Sequence, residues 1–177
     1  MRHFKTIHLT MKQHLLTLII LIGLVSCNSN QTTKIERDGE PEIYNVIDTD
    51  VEMNKAIKTA NQTLDKFNEA LKSGNPNFEY FALKTRFNTS NGGEHIWVGN
   101  ITLKDNKYFG VVDNLPESTT EVKLGDTIQI KDDNISDWMY IENQKLHGGY
   151  TVRVLRNRMN EQERKQFDEE NGLIIEN

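Results

Sequence analysis

The sequence predicts an α+β domain in which an N-terminal amphipathic helix packs on a small antiparallel β-sheet, followed by C-terminal helices. Apolar residues recur every three or four positions between residues 53 and 71, which is typical of one helix face. From residue 78 to residue 146, short segments rich in β-branched and aromatic residues replace that pattern. Helix-capping signals return after residue 149. The order helix, strands, helices indicates α+β rather than alternating β/α units.

The first 26 residues are typical of a cleavable secretory signal. Three basic residues, Arg2, Lys5 and Lys12, precede an apolar run from residue 15 to residue 25. This run is about half of the roughly 20 residues that cross a bilayer, so a retained transmembrane helix is the less favoured interpretation. Met11 begins a complete signal by itself.

Cys27 is the only cysteine of the chain and follows the apolar run directly, in Leu24-Val25-Ser26-Cys27. This arrangement resembles a bacterial lipoprotein signal, which implies that Cys27 carries lipid and that the protein lies in the cell envelope. Asn28 in the next position slightly favours the outer over the inner membrane. The polar residues 27–46 predict a flexible tether, and residues 47–177 predict a single domain.

Removal of the leader leaves an acidic domain. The leader holds three of the 21 basic residues and no acid, so the mature chain has 18 Lys and Arg against 26 Asp and Glu, a formal charge of −8. Nucleic-acid binding depends on cations, so no nucleic-acid partner is expected. With Cys27 committed to lipid, no thiol chemistry remains, and only His95 and His147 of the five histidines stay. We therefore predict no metal site and no cofactor.

The first predicted helix begins near residue 50 and ends before residue 74. Thr49, followed three residues later by Glu52, fits a capping box with Thr49 as the cap. Gly74 and Pro76 are the expected end signals. The apolar residues between these signals share one face and are Met53, Ala56, Ile57, Ala60, Leu64, Phe67 and Leu71.

Six segments predict strands, at residues 78–87, 96–103, 108–112, 127–130, 138–141 and 145–146. The four residues 104–107 predict a β-hairpin between the second and third strands, and Asn143 predicts a turn between the last two. Sequence-adjacent strands joined in this way are expected to pair antiparallel.

Two helices are expected after the strands. Residues 151–159 fit either a strand or a helix, and the preceding Gly148-Gly149 pair favours the helix. Asn160 and Glu163 predict a second capping box, for a short charged helix that ends at Gly172.

Four segments carry a further signal: Glu94-His95-Ile96-Trp97, Leu124-Gly125-Asp126, Ile135-Ser136-Asp137-Trp138-Met139-Tyr140 and Gly148-Gly149-Tyr150-Thr151-Val152-Arg153. Their order and spacing, behind the helix that precedes them, resemble the YegJ-like family of bacterial domains of unknown function. The resemblance covers residues 47–167 and implies one α+β domain. It implies no reaction and no catalytic residues.

Three residues are candidates for acid–base chemistry. His95 lies at the start of a strand after a glycine turn, Asp126 follows Gly125 at a strand entrance, and Asp137 precedes Trp138. A carboxylate-assisted His95 could catalyse hydrolysis if Asp126 or Asp137 lay beside it. Each also has a structural interpretation: His95 as a hydrogen-bonding residue, Asp126 as an acceptor of nearby backbone amides, and Asp137 as a cap of the turn that follows it or a partner of Arg153 or Lys84.

Aromatic residues offer a different kind of site. Trp97, Trp138, Tyr140 and Tyr150 could form a binding surface for a sugar or a protein, or could belong to the core. The residues Gly148-Gly149-Tyr150-Thr151 suggest an anion site at a helix N-terminus, although they lack the spacing of a phosphate-binding loop.

Three classes of function fit these observations. The favoured one is a membrane-tethered binding or protein-interaction domain without catalysis, with an immunity-type protein that neutralises a basic toxin as its specific form. The alternatives are an envelope hydrolase using His95 with Asp126 or Asp137, and a structural lipoprotein that binds peptidoglycan.

Overall fold

The computed structural model describes residues 33–35, 43–45, 50–90 and 92–176 of the 177-residue chain. The predicted signal, Cys27 and Thr49 lie outside the described residues. Two short strands, β1 (Thr33–Ile35) and β2 (Ile43–Asn45), pair antiparallel as a separate sheet within the range 27–46 that the sequence assigned to a tether.

Two helices replace the single one predicted for residues 53–71. They are α1 (Val51–Gln62) and α2 (Leu64–Ser73), and Thr63 between them is not helical. The Trp138 indole donates to the Ala60 carbonyl oxygen at 3.0 Å, which is the acceptor that an unbroken helix would offer to Leu64. The break is therefore stabilised by a residue 75 positions further along the chain.

The cap of α1 lies next to the predicted one. Asp50 is the N-cap, and its Oδ1 accepts a hydrogen bond from the Met53 amide at 3.1 Å. A carboxylate satisfies a free amide of the first turn and also interacts favourably with the helix dipole.

A six-stranded antiparallel sheet with order β6-β5-β4-β3-β7-β8 forms the centre of the domain. The α+β fold class is therefore confirmed. The strands are β3 (Phe78–Thr89), β4 (Gly92–Lys104), β5 (Lys107–Val112), β6 (Thr127–Ile130), β7 (Ile135–Glu142) and β8 (Lys145–Gly148).

Both predicted hairpins are present, and their two-residue turns have left-handed backbones. Asp105 and Asn106 join β4 to β5 with φ of 51° and 58°, and Asn143 and Gln144 join β7 to β8 with φ of 49° and 66°. Asn and Asp tolerate this conformation better than other non-glycine residues, and such turns match the twist of antiparallel strands.

The helices α1 and α2 cover one face of the sheet. Phe67 of α2 packs against Trp138 of β7, with ring centroids 5.9 Å apart, and Leu83 of β3 is fully buried in the same cluster. Successive side chains of a strand point to opposite faces. Lys84, next to Leu83, and Asp137, next to Trp138, therefore lie on the face opposite the helices.

The helices α3 (Tyr150–Arg158) and α4 (Glu161–Asn171) follow the sheet. The second capping box is confirmed, because Asn160 Oδ1 accepts from the Glu163 amide at 3.0 Å while Glu163 Oε2 accepts from the Asn160 amide at 2.9 Å. Gly172 ends α4 with φ of 61°.

Residues 173–176, here called the C-terminal strap, run along β8 after α4. The Leu146 amide donates to the Ile174 carbonyl at 3.0 Å, and the Ile174 amide donates to the Gln144 carbonyl at 2.7 Å. Arg153 of α3 donates to the Leu146, Gly148 and Glu176 carbonyls. The strap and α3 together cover this edge of the sheet.

Candidate functional site

Asp137 is a fully buried carboxylate at the junction of β7 and α3. Its Oδ1 accepts from the amides of Trp138 at 2.8 Å and Tyr150 at 3.1 Å, and its Oδ2 accepts from the Thr151 amide at 2.8 Å and the Thr151 hydroxyl at 2.6 Å. Four donors aimed at two oxygens make this carboxylate an N-terminal cap for α3, supplied by a distant strand.

The cap depends on a tight connection between β8 and α3. Gly148 and Gly149 have φ of 70° and 61°, and a Cβ on Gly148 would lie 2.2 Å from the Trp138 carbonyl oxygen. These two glycines bring the first amides of α3 onto Asp137. The anion site suggested by Gly148–Thr151 therefore exists, but in this structure its anion is the protein's own carboxylate.

Lys84 lies beside this carboxylate on β3, directly opposite both Trp97 and Asp137 in the strand register. Its Nζ is 3.4 Å from Thr151 Oγ1 and 5.4 Å from the centre of the Trp97 ring. Burial lowers the pKa of Lys84, against the opposing effect of Asp137. Burial likewise raises the pKa of Asp137, while the bonds from Thr151 and the charge of Lys84 act in the other direction.

His95 joins a neighbouring hydrogen-bond chain on the same face. Its Nδ1 lies 2.8 Å from Ser136 Oγ, and Ser136 Oγ lies 3.2 Å from the Lys84 carbonyl oxygen. The Ser136 hydroxyl has one proton, which it donates to the carbonyl, so His95 Nδ1 is assigned as the donor to Ser136. These two hydrogen bonds connect β4 to β7 across β3.

Asp126 lies in an exposed turn at the entrance of β6. Its Oδ2 accepts from the Lys123 amide at 2.8 Å, and its own amide donates to the Lys123 carbonyl at 3.1 Å. Within the described residues, neither Asp126 nor Asp137 is hydrogen-bonded to His95. The structure thus places His95 and Asp137 on one face without a direct bond and leaves Asp126 in a separate turn.

The aromatic candidates divide between the two faces. Trp138 and Tyr140 are 3% and 9% exposed and belong to the core under the helices. Tyr150 packs against Trp138, and its hydroxyl forms a hydrogen bond with Thr63 Oγ1 at 3.0 Å. Trp97 is partly exposed on the opposite face, where its ring is next to Lys84. Of the four, Trp97 is the one that lies on the face opposite α1 and α2.

Two residues of this network carry little signal in the sequence. Thr151 and Ser136 are both 2% exposed and hold the Asp137 and His95 contacts. Lys84 is easier to notice, because a lysine directly follows the apolar run Phe81-Ala82-Leu83 within a strand. In the part of the chain that the structure describes, no group of three or more His, Cys, Asp or Glu could hold a metal ion.

The fold and this network define a small α+β domain in which a carboxylate of β7 caps the helix that follows β8. Residues 50–175 match the model of the bacterial family described as "Uncharacterized protein conserved in bacteria (DUF2314)". The chain belongs to this family, and the resemblance to YegJ-like domains is confirmed.

Two relatives illustrate the family. The uncharacterized protein YegJ of Escherichia coli K12 is 36% identical over 100 residues, which is 56% of this chain and 64% of YegJ. A protein of Neisseria meningitidis serogroup B, provisionally named an ankyrin repeat protein, is 35% identical over 80 residues, which is 45% of this chain and 32% of that protein. The chain thus spans less than two thirds of the length of either relative. No solved structure matches.

Among the described residues, no helix is both long enough and apolar enough to cross a bilayer.

Proposed function

We propose that this chain is a lipid-anchored binding domain of the bacterial cell envelope whose partner is a basic protein. The leader and Cys27 support the anchor and the location. The family carries no assigned reaction, and the Neisseria relative is named for a repeat rather than for an activity.

The observation that carries this proposal is the placement of the acidic side chains. Asp137 is the one acidic residue among the described positions that is buried, and its four hydrogen bonds hold α3 in place. The other described acids are partly or fully exposed, and the predicted mature chain has a formal charge of −8. Exposed negative charge accelerates association with a basic partner and rejects acidic ones.

An immunity-type protein that neutralises a basic toxin is the specific form of this proposal. A compact acidic domain suits that task, because its exposed negative charge complements a basic toxin. A toxin gene beside the gene for this chain would support this form.

The anchor is tested by Cys27→Ser in cells labelled with a radioactive or clickable fatty acid. The variant is expected to lose the label and to leave the membrane fraction, because lipid attaches through the thiol. Ser26→Ala is the matched control and should keep both. Equal labelling of Cys27→Ser would contradict the anchor.

The partner is tested with the purified full-length chain in detergent, immobilised and exposed to envelope extract at rising salt. Basic proteins should be retained at low salt and released as salt screens the exposed charges. Retention of nothing, or retention that salt leaves unchanged, would contradict an electrostatic partner.

A further inference from the structure

Strand β6 is the terminal strand of the six-stranded sheet. It pairs with β5 on one side, and no described strand lies on its other side. A terminal strand presents a row of backbone donors and acceptors to which another extended chain can add.

The hydrogen-bond pattern shows which backbone groups face outward. The Val112 amide donates to the Asp126 carbonyl and the Gly125 amide donates to the Val112 carbonyl, both at 2.9 Å, with Gly125 at φ of 85°. This β-bulge makes Val112 and Asp126 a hydrogen-bonded pair. Because such pairs alternate in an antiparallel ladder, Ile128 bonds to β5. The backbone groups of Thr127 and Gln129 therefore face the open edge.

A cleft of about 160 Å³ lies next to this edge, with residues 128–130 of β6 as one wall. Phe87 and Val122 contribute apolar lining, and Glu121 and Lys131 contribute charged groups. Ile130 is 2% exposed and belongs to the core, so Ile128, two residues before it, points to the same face as the cleft.

A strand added to β6 would have a predictable side-chain pattern. Its residues opposite Thr127 and Gln129 would point away from the cleft, and the residue between them, opposite Ile128, would point toward it. An aliphatic residue suits the cleft side.

The charge around the edge favours basic residues at the other positions. Four acids and two lysines lie between residues 121 and 134, namely Glu121, Asp126, Asp132 and Asp133 against Lys123 and Lys131. All six are exposed. A second copy of the chain would bring two such acidic surroundings together, which like-charge repulsion disfavours.

We propose that β6 is the docking edge for an extended segment of a protein partner, in which an aliphatic residue facing the cleft is flanked by basic residues. This mode is β-strand addition, in which the main chain provides affinity and pockets provide specificity. The inference rests on the proposed function, because it assigns that function's partner a surface and a sequence pattern.

The test uses the full-length chain in detergent and an eight-residue peptide, capped at both ends, that alternates lysine and valine. Amide hydrogen exchange at Thr127 and Gln129 is expected to slow about tenfold when peptide saturates the protein, since each amide gains a hydrogen bond. The Ile128 and Ile130 amides already bond to β5 and should change little. A peptide with glutamate in place of lysine should not bind.

The variant Gln129→Pro removes an outward amide and leaves the bonds to β5 in place. Edge strands accept proline where the amide faces solvent, so the variant should fold, with unchanged circular dichroism, and bind the peptide at least about tenfold more weakly. Gln129→Ala is the matched control, because it changes the side chain and keeps the amide, and should bind as the parent chain does. Thr127→Pro is the second variant and is expected to behave as Gln129→Pro.

Three results would overturn the inference. They are peptide binding without slower exchange at Thr127 and Gln129, full binding by Gln129→Pro, and a concentration-dependent dimer that Gln129→Pro abolishes, which would assign the edge to a second copy. Continued labelling and membrane association of Cys27→Ser would contradict the anchor alone and would leave the peptide result readable.

Discussion

The two edges of the six-stranded sheet are built differently. At the β8 edge, the C-terminal strap adds backbone hydrogen bonds, Arg153 donates to three carbonyls, and the buried Asp137 caps α3. At the β6 edge, a four-residue strand ends the sheet, and the carboxylate of the nearby Asp126 accepts its hydrogen bond from the Lys123 amide of the same exposed turn.

The difference shows where the chain places its long-range interactions. The β8 edge connects residues that are distant in sequence, so its order depends on the whole domain having folded. The β6 edge is connected by the local turn at Lys123–Asp126 and one neighbouring strand. Substitutions of the same kind should therefore cost much more stability at the β8 edge than at the β6 edge.

A pair of glycine substitutions should give the largest difference. Gly148→Ala places a methyl group 2.2 Å from the Trp138 carbonyl and 2.4 Å from its ring, at φ of 70°. We expect a loss of about 3 kcal/mol or more from steric overlap and backbone strain. Gly125→Ala has φ of 85° with nothing within 4 Å of its Cβ, so strain alone should cost about 1 kcal/mol.

Urea unfolding of the two glycine variants measures this difference. If Gly148→Ala and Gly125→Ala unfolded at the same urea concentration, the tight connection between β8 and α3 would be contradicted. The full-length chain in detergent serves as the common reference.

A pair of aspartate substitutions gives the next largest effect. Asp137→Asn removes a buried charge beside Lys84 and places an amide group where four donors converge. We expect a loss of about 3 kcal/mol, because a buried cation is left without its counter-charge. Asp126→Asn affects an exposed turn bond and should cost less than about 1 kcal/mol.

Thermal unfolding followed by circular dichroism separates these two carboxylates. If Asp126→Asn were as damaging as Asp137→Asn, the assignment of Asp137 as the long-range cap would fail. The double variant Asp137→Asn/Lys84→Met provides a further check. It lacks the buried cation as well, so it should recover part of the stability that Asp137→Asn alone loses.

The parts of the fold that depend on neighbours in sequence could be predicted. Asn160 and Glu163 form their capping box within one turn of chain, and residues 104–107 form their hairpin for the same reason. Residues 151–159 fitted two structures, and the Gly148-Gly149 pair correctly favoured the helix.

The parts of the fold that depend on residues distant in sequence could not be predicted. The break at Thr63 requires Trp138, and the cap of α3 requires Asp137, 14 residues before Thr151. The sequence suggested that Asp137 pairs with Arg153 or Lys84 or caps the turn that follows it. In the structure it lies beside Lys84, and it caps α3 rather than the turn directly after it. Residues 173–176 have no periodic pattern, so their pairing with β8 was not predicted.

The smallest expected effect is a loosening of the C-terminal strap in acid. Glu176 lies 2.8 Å from Lys145 Nζ, and its hydrogen bond with Lys145 lowers the pKa of the Glu176 carboxyl below its ordinary value. A carboxyl whose pKa is lowered on folding stabilises the folded state fully above its ordinary pKa of 4.5, and that stabilisation is lost as the pH falls through the lower folded value.

Amide hydrogen exchange at Leu146, which donates to the strap, measures this loosening after correction for intrinsic rates. Local opening should become easier below pH 4.5 in the parent chain, and Glu176→Gln should show that easier opening already at pH 7. Glu169→Gln, which removes an exposed pair with Lys165 on α4, is the matched control and should leave Leu146 unchanged. A Leu146 amide that is insensitive to Glu176→Gln at every pH would mean that the backbone bonds and Arg153 hold the β8 edge closed without help from this ion pair.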